Sequence, residues 1–134
     1  MSAGLPDRAV ATVALVVADY DEAVAWYTGK LGFSLAEDID FGGARRWVVV
    51  VAGARGARLL LAKASDEAQA ARVGDQTGGR VFLFLETDDF ARDHAAMLSA
   101  GVRFIEEPRR EAYGTVAVFE DLYGNRWDLI EPKR

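Results

Sequence analysis

The chain has no cysteine, which excludes disulfides, thiolate metal ligands and a cysteine nucleophile together and agrees with a reducing compartment. It has a single histidine, His94, which counts against a metal site of the imidazole type. No run of lysine and arginine occurs, and 21 acidic residues outweigh 16 basic ones, so the clustered basic face that nucleic acid requires is missing. No apolar run approaches the roughly 18 residues of a membrane span. The opening residues MSAGLPDRA lack the apolar core of a signal peptide, and the expected location is cytoplasmic.

What the chain does have is a half-length echo. VALVVADYDEAVAWYTGKLGFSLAED, from Val13, returns as VFLFLETDDFARDHAAMLSAGVRFIEE, from Val81, with Gly32 falling on Gly101. Two units of this size are too few for a solenoid, so a pseudo-symmetric pair meeting at a cleft is expected, and clefts are where small molecules bind. A hydrophobic content of 51% is enough for an ordered core in a single domain over residues 1–134.

The elements repeat in order. Ala11 to Val17 reads as a strand, and Asp19-Tyr20-Asp21 caps a helix from Glu22 to Leu31 that Gly32 stops. Phe33 to Ile39, Arg46 to Ala52 and Ala57 to Ala62 read as three more strands. A connector over about 65–79 holds a short helical stretch, Asp66 to Val73, and a glycine-rich loop. Val81 to Leu85, a helix from Asp89 to Ala100, then Val102 to Glu107, Thr115 to Phe119 and Arg126 to Ile130 complete a second unit. Both are βαβββ modules, about 8–64 and about 80–132. Side-chain parity assigns Val13, Leu15 and Val17, and Val81, Leu83 and Leu85, to the helix side. It leaves Phe82, Phe84 and Glu86 towards the cleft, with Glu86 at its rim because a buried carboxylate is costly unless paired.

The opening strand–Asp19–helix with Trp26-Tyr27 and Leu31-Gly32-Phe33, together with the closing Asp121-Leu122-Tyr123-Gly124-Asn125, resembles the glyoxalase, bleomycin-resistance and extradiol-dioxygenase superfamily, also called vicinal oxygen chelate proteins. The resemblance spans nearly the whole chain. It implies an α+β fold in which two βαβββ modules form an open eight-stranded barrel-like sheet around a cavity, and it implies a homodimer. Enzymes of this superfamily hold one divalent metal (nickel, zinc, manganese or iron) on His, Gln or Glu ligands from the first and last strands of the modules, for lyase, isomerase or dioxygenase chemistry. Carried over residue by residue, those positions are Thr12, a place near Leu60, Phe82 and Asp128. They supply one carboxylate, one hydroxyl and two hydrocarbons, so the usual metal site is expected to be absent. A rearranged one would draw on Asp128 and Glu86.

Other candidates are aromatic or charged. In Arg45-Arg46-Trp47 adjacent residues alternate faces: an inward Trp47 gives a stacking surface with Phe82 and Phe84, an inward Arg46 a carboxylate clamp, and a core tryptophan with surface arginines is the plain alternative. Tyr113, before Gly114, either gates a ligand or sits in a structural turn. Trp127 is expected in the core, and Gly124-Asn125 reads as an architectural hairpin turn. His94 is either an acid–base group or a helix residue packing at the sheet edge. Asp128 is the most interesting polar position, able to act as an acid, a base or the counter-ion of a cationic ligand. The functions that fit are metal-free binding of a small aromatic or cationic compound, a glyoxalase-like lyase, isomerase or dioxygenase with a rearranged metal site, and a structural module whose cavity is filled by its own side chains.

Overall fold

The structure, a computed structural model, describes residues 4–134. Its elements run β1 (Thr12–Val17), α1 (Tyr20–Leu31), β2 (Ser34–Gly42), β3 (Arg45–Val51), β4 (Arg58–Lys63), α2 (Glu67–Ala70), β5 (Val81–Glu86), α3 (Phe90–Ser99), β6 (Arg103–Phe104), β7 (Arg109–Glu111), β8 (Gly114–Glu120) and β9 (Arg126–Pro132). They form two sheets that do not close into a barrel, one in the order β1-β4-β3-β2 and the other β5-β9-β8-β6 with β7 beside β8. In each sheet the first and last strands of the module pair in parallel while the others are antiparallel, so the βαβββ repeat read from sequence is a repeat of topology.

Local chemistry sets the boundaries. The Asp19 carboxylate accepts from Glu22 N at 2.8 Å and starts α1. In the second module Asp89 does the same for Arg92 N at 3.1 Å. Of the strand expected over Val102 to Glu107 only Arg103–Phe104 is strand, and a further strand not expected from sequence, β7, begins just after Pro108, which has no N–H for the ladder. At the break the Glu106 carboxylate accepts from Val118 N at 2.9 Å in place of a strand carbonyl. α2 is shorter than the stretch Asp66 to Val73 because the chain turns sharply at Gly74, where a Cβ would lie 2.1 Å from the Tyr123 carbonyl oxygen.

The helix sides of both sheets feed one apolar core. Leu15, Val17, Val48, Val50, Leu59 and Leu61 from the first sheet meet Ala23 and Tyr27 of α1, and Ala117, Phe119, Trp127 and Leu129 from the second meet Phe90 and Met97 of α3. Tyr27 and Phe33 of the first module both pack against the Trp127 ring, with centroids at 5.9 and 6.1 Å. The pairing of strands inside each sheet and this shared core together hold the modules.

A buried carboxylate joins them. Asp121, 5% exposed, accepts from the Tyr27 hydroxyl at 2.6 Å, from Asn125 Nδ2 at 2.9 Å, and from the backbone N–H groups of Tyr123 and Asn125 at 2.9 and 3.0 Å. Three of these donors shape the β8–β9 turn, and the fourth comes from α1 of the other module. Tyr123 adds a hydroxyl bond to Glu22 at 2.8 Å, and Lys30 Nζ donates to the Ala100 carbonyl at 2.7 Å. The connector contributes Gln76, whose side-chain amide pairs with Val16 N and O at 3.3 Å and so covers a length of the free β1 edge.

Burial, and the Asp121 carboxylate beside it, raise the Tyr27 phenol well above its ordinary value of 10.0. The folded state therefore keeps that proton where the unfolded chain loses it, so the contribution is intact below about pH 10 and is lost as pH climbs beyond that. Tyr27→Phe is expected to lower stability by about 1–2 kcal/mol at pH 7. By chemical denaturation at a series of pH values, the same variant should show a shallower alkaline decline than the parent; an identical decline would contradict the assignment of Asp121 to Tyr27.

Candidate functional site

With the helix sides consumed by the core, each sheet has an opposite face that no helix covers. Strand register aligns these open faces row by row. On the first sheet Ala14 lies beside Leu60, Leu60 beside Val49 and Val49 beside Glu37. On the second, Phe84 lies beside Asp128 and Asp128 beside Val118, whose N–H binds the Glu106 side chain. The rows correspond strand for strand, so Phe84 and Asp128 stand where the first module has Ala14 and Leu60.

The residues singled out from sequence fall as follows. Thr12 is exposed at the start of β1, opposite Arg58. Leu60 is half-buried in the row just described. Trp47 lies on the open face, 38% exposed, its indole Nε1 donating to Glu37 at 3.3 Å. Arg46 turns to the helix side, where it donates to Asp38 at 2.8 Å and Asp21 at 2.9 Å over the Tyr20 ring. These two carboxylates raise its pKa further and hold its guanidinium away from the open face.

Phe84 is 65% exposed, while Phe82 is the extra residue of a bulge in β5 and packs partly against the core. Tyr113 is 54% exposed at the β7–β8 turn, its carbonyl accepting from Lys133 N at 2.9 Å. Glu86 ends β5, 3.6 Å from Arg55 of the first module. His94 is sandwiched on the helix side, its ring 5.2 Å from Phe90 and 4.5 Å from Phe104. Trp127 is core.

Asp128 differs from the other carboxylates. No protein donor reaches its buried Oδ1. Burial raises its pKa above the ordinary 3.8, with Glu106 acting in the same direction and Arg109 opposing them. Arg109 is itself engaged with Glu106 at 3.0 Å and Glu111 at 3.3 Å.

Four open-face residues were not singled out from sequence: Glu37, Arg58, Glu106 and Arg109. Arg58 pairs with Glu37, and Arg109 with Glu106, so a glutamate–arginine pair recurs at matching places on the two open faces. The echo contains the signal, since the offset that places Gly32 on Gly101 also places Glu37 on Glu106. Arg58 keeps a buried Nε with no partner.

The family positions for a divalent metal do not fit one here. Leu60 and Phe82 offer no donor, and Thr12 only a neutral hydroxyl, beside the single carboxylate of Asp128. Among the described residues, no group of three or more His, Cys, Asp or Glu side chains is arranged to hold a metal ion. Two hollows lie elsewhere: one of about 340 Å³ is lined by residues including Arg110, Thr115 and Arg134, and one of about 160 Å³ by residues including Asp75, Thr77 and Arg126. No helix among the described residues is long and apolar enough to cross a membrane.

The family model for the Glyoxalase/Bleomycin resistance protein/Dioxygenase superfamily matches residues 9–129. An uncharacterized protein of Shewanella frigidimarina is 52% identical over 92% of this chain and 93% of its own length. Among solved structures, UcmS2 is similar at a TM-score of 0.81 and 28% identity, covering 94% of this chain and 99% of that one. TnmS3, an antibiotic binding protein from Streptomyces sp. CB03234, follows at 0.76 and 26%, covering 96% and 99%.

An ionised carboxylate that lacks a donor costs stability, so its removal should be favourable. With the folded pKa of Asp128 raised, the penalty is present at neutral pH and vanishes as pH falls through that raised value. Asp128→Asn is expected to raise Tm at pH 7, with the gain shrinking towards pH 4. A lower Tm at pH 7 in differential scanning calorimetry would show that Asp128 is satisfied in the folded protein.

Proposed function

The chain belongs to the glyoxalase/bleomycin resistance protein/dioxygenase superfamily, and from that premise we propose that it is a binding protein, holding a small ring compound against its open sheet faces without the divalent metal of the family's enzymes. The observation that carries this reading is the make-up of the aligned rows. Where chelation needs several donors, Thr12, Leu60 and Phe82 leave Asp128 as the one anionic ligand, while Trp47, Phe84 and Tyr113 expose aromatic surface. The similarity to TnmS3 supports the same class of function.

A chain that keeps such rings in water pays in free energy, and each large apolar side chain gains roughly 2 kcal/mol when covered. Ile39 and Trp47 on the first face, Phe41 at the bulge of β2 and Phe84 on the second face are all exposed in one chain. The reading therefore includes a homodimer in which a second copy covers part of these faces and encloses the ligand. Asp128 is the ligand's polar anchor, Phe84 and Trp47 its stacking partners, and Tyr113 and Thr12 lie at the margin. Arg46, spent on Asp21 and Asp38, is not part of it.

The competing account is a lyase, isomerase or dioxygenase with a metal on Asp128 and Glu86. Protein purified without chelator is expected to contain only substoichiometric metal, and nickel, zinc, manganese or iron(II) should leave its Tm unchanged. Light scattering should give the mass of a dimer. One equivalent of bound metal lost to EDTA with a drop in Tm would contradict the metal-free reading, and a monomer at micromolar concentration would contradict the second copy.

A further inference from the structure

Resting on the reading that the open faces take a ring compound, we propose that the ligand carries a protonated amine, which pairs with Asp128 while its ring lies on Phe84. The argument begins from the two aligned rows. On the first face the glutamate of the row, Glu37, is matched by Arg58, and the position equivalent to Asp128 is the hydrocarbon Leu60. With Arg45 on the Trp47 side of β3, that face has no excess of negative charge. The second face does.

Four carboxylates, Asp128, Glu106, Glu111 and Glu86, stand there against three guanidiniums, Arg109, Arg55 and Arg126, the last at the start of β9 with its Nη1 donating to the Gly79 carbonyl at 3.4 Å. Arg109 is held by Glu106 and Glu111, and Arg55 reaches Glu86 only at 3.6 Å from a neighbouring loop. The further pair on this sheet, Arg103 with Glu120 at 3.4 Å, is self-compensating. Asp128 is thus left without a cation of its own and without a hydrogen-bond donor on Oδ1.

An acidic or phosphorylated ligand would add to the excess negative charge. A neutral ring would stack on Phe84 but leave Asp128 unpaired. An ammonium group supplies both the charge and the N–H donors that the carboxylate lacks, and the exposed Phe84 ring, next to Asp128 across the β5–β9 ladder, receives the aromatic part or the cation itself. The ligand class is therefore an aminoalkyl arene or an amino-heteroarene basic enough to be a cation at neutral pH.

Three matched probes test this at pH 7.5: 9-aminoacridine as the cation, acridine as the neutral ring and acridine-9-carboxylate as the anion, titrated by fluorescence against the parent and Asp128→Asn. The expected result is binding of the cation about tenfold tighter than the neutral ring and weaker binding of the anion than of either. Asp128→Asn should lose about that tenfold for the cation alone, a typical effect for one charge pair. Equal affinity for cation and neutral ring, tighter binding of the anion, or an unchanged cation affinity in Asp128→Asn would overturn the proposal while leaving ring binding intact. Failure of all three probes to bind the parent would overturn the ring-binding reading and this inference with it.

Discussion

The carboxylate of Asp121, buried between the modules, is the point on which the arrangement of the faces depends. It collects the Tyr27 hydroxyl from one module and the N–H groups of the β8–β9 turn from the other, so a single acceptor fixes both the turn geometry and the seat of α1. A buried charge is tolerable only when its hydrogen bonds are made, and here four donors make them. Around it, Tyr27, Phe33 and Trp127 pack as aromatic neighbours, which couples the bond to the apolar core. The Tyr27 bond seats α1 on the core side, and the opposite sides of the sheets stay free of α1 and α3.

The contrast between Asp121 and Asp128 separates structure from function within a few residues of sequence. Asp121 is a carboxylate the fold satisfies completely; Asp128 is one it leaves wanting, on a face the core does not use. Groups of the second kind persist when something outside the chain completes them, which is why residues that cost stability mark binding sites. The two glutamate–arginine pairs fit the same division. They hold the frame of each open face, and the difference between the faces, Ala14 and Leu60 against Phe84 and Asp128, gives the surface its polarity.

Much of this was legible in the chain because it is written twice. The echo made the order of elements and the helix side of the first strand in each module readable, and the same offset relates Glu37 to Glu106. Parity could not decide between Arg46 and Trp47, since the answer depends on Asp21 and Asp38 drawing the guanidinium to the helix side. Nor could it anticipate the bulge at Phe82, which takes that ring out of the alternation and partly into the core. Gly124-Asn125 read as a two-residue hairpin turn, whereas the β8–β9 connection spans 121–125 and only Gly124 of that pair has positive φ; the Tyr27 hydroxyl bond to Asp121, 94 residues away, is a tertiary contact that local pattern does not encode.

The most direct measurement is a methyl NMR titration of the protein in EDTA with 9-aminoacridine. The account predicts shifts confined to open-face groups, Ala14, Leu60, Val118 and Ile130 among them, with the core methyls of Leu15, Val17, Leu61 and Leu129 unmoved. Shifts concentrated on the core side, or none until a divalent metal is added, would contradict it.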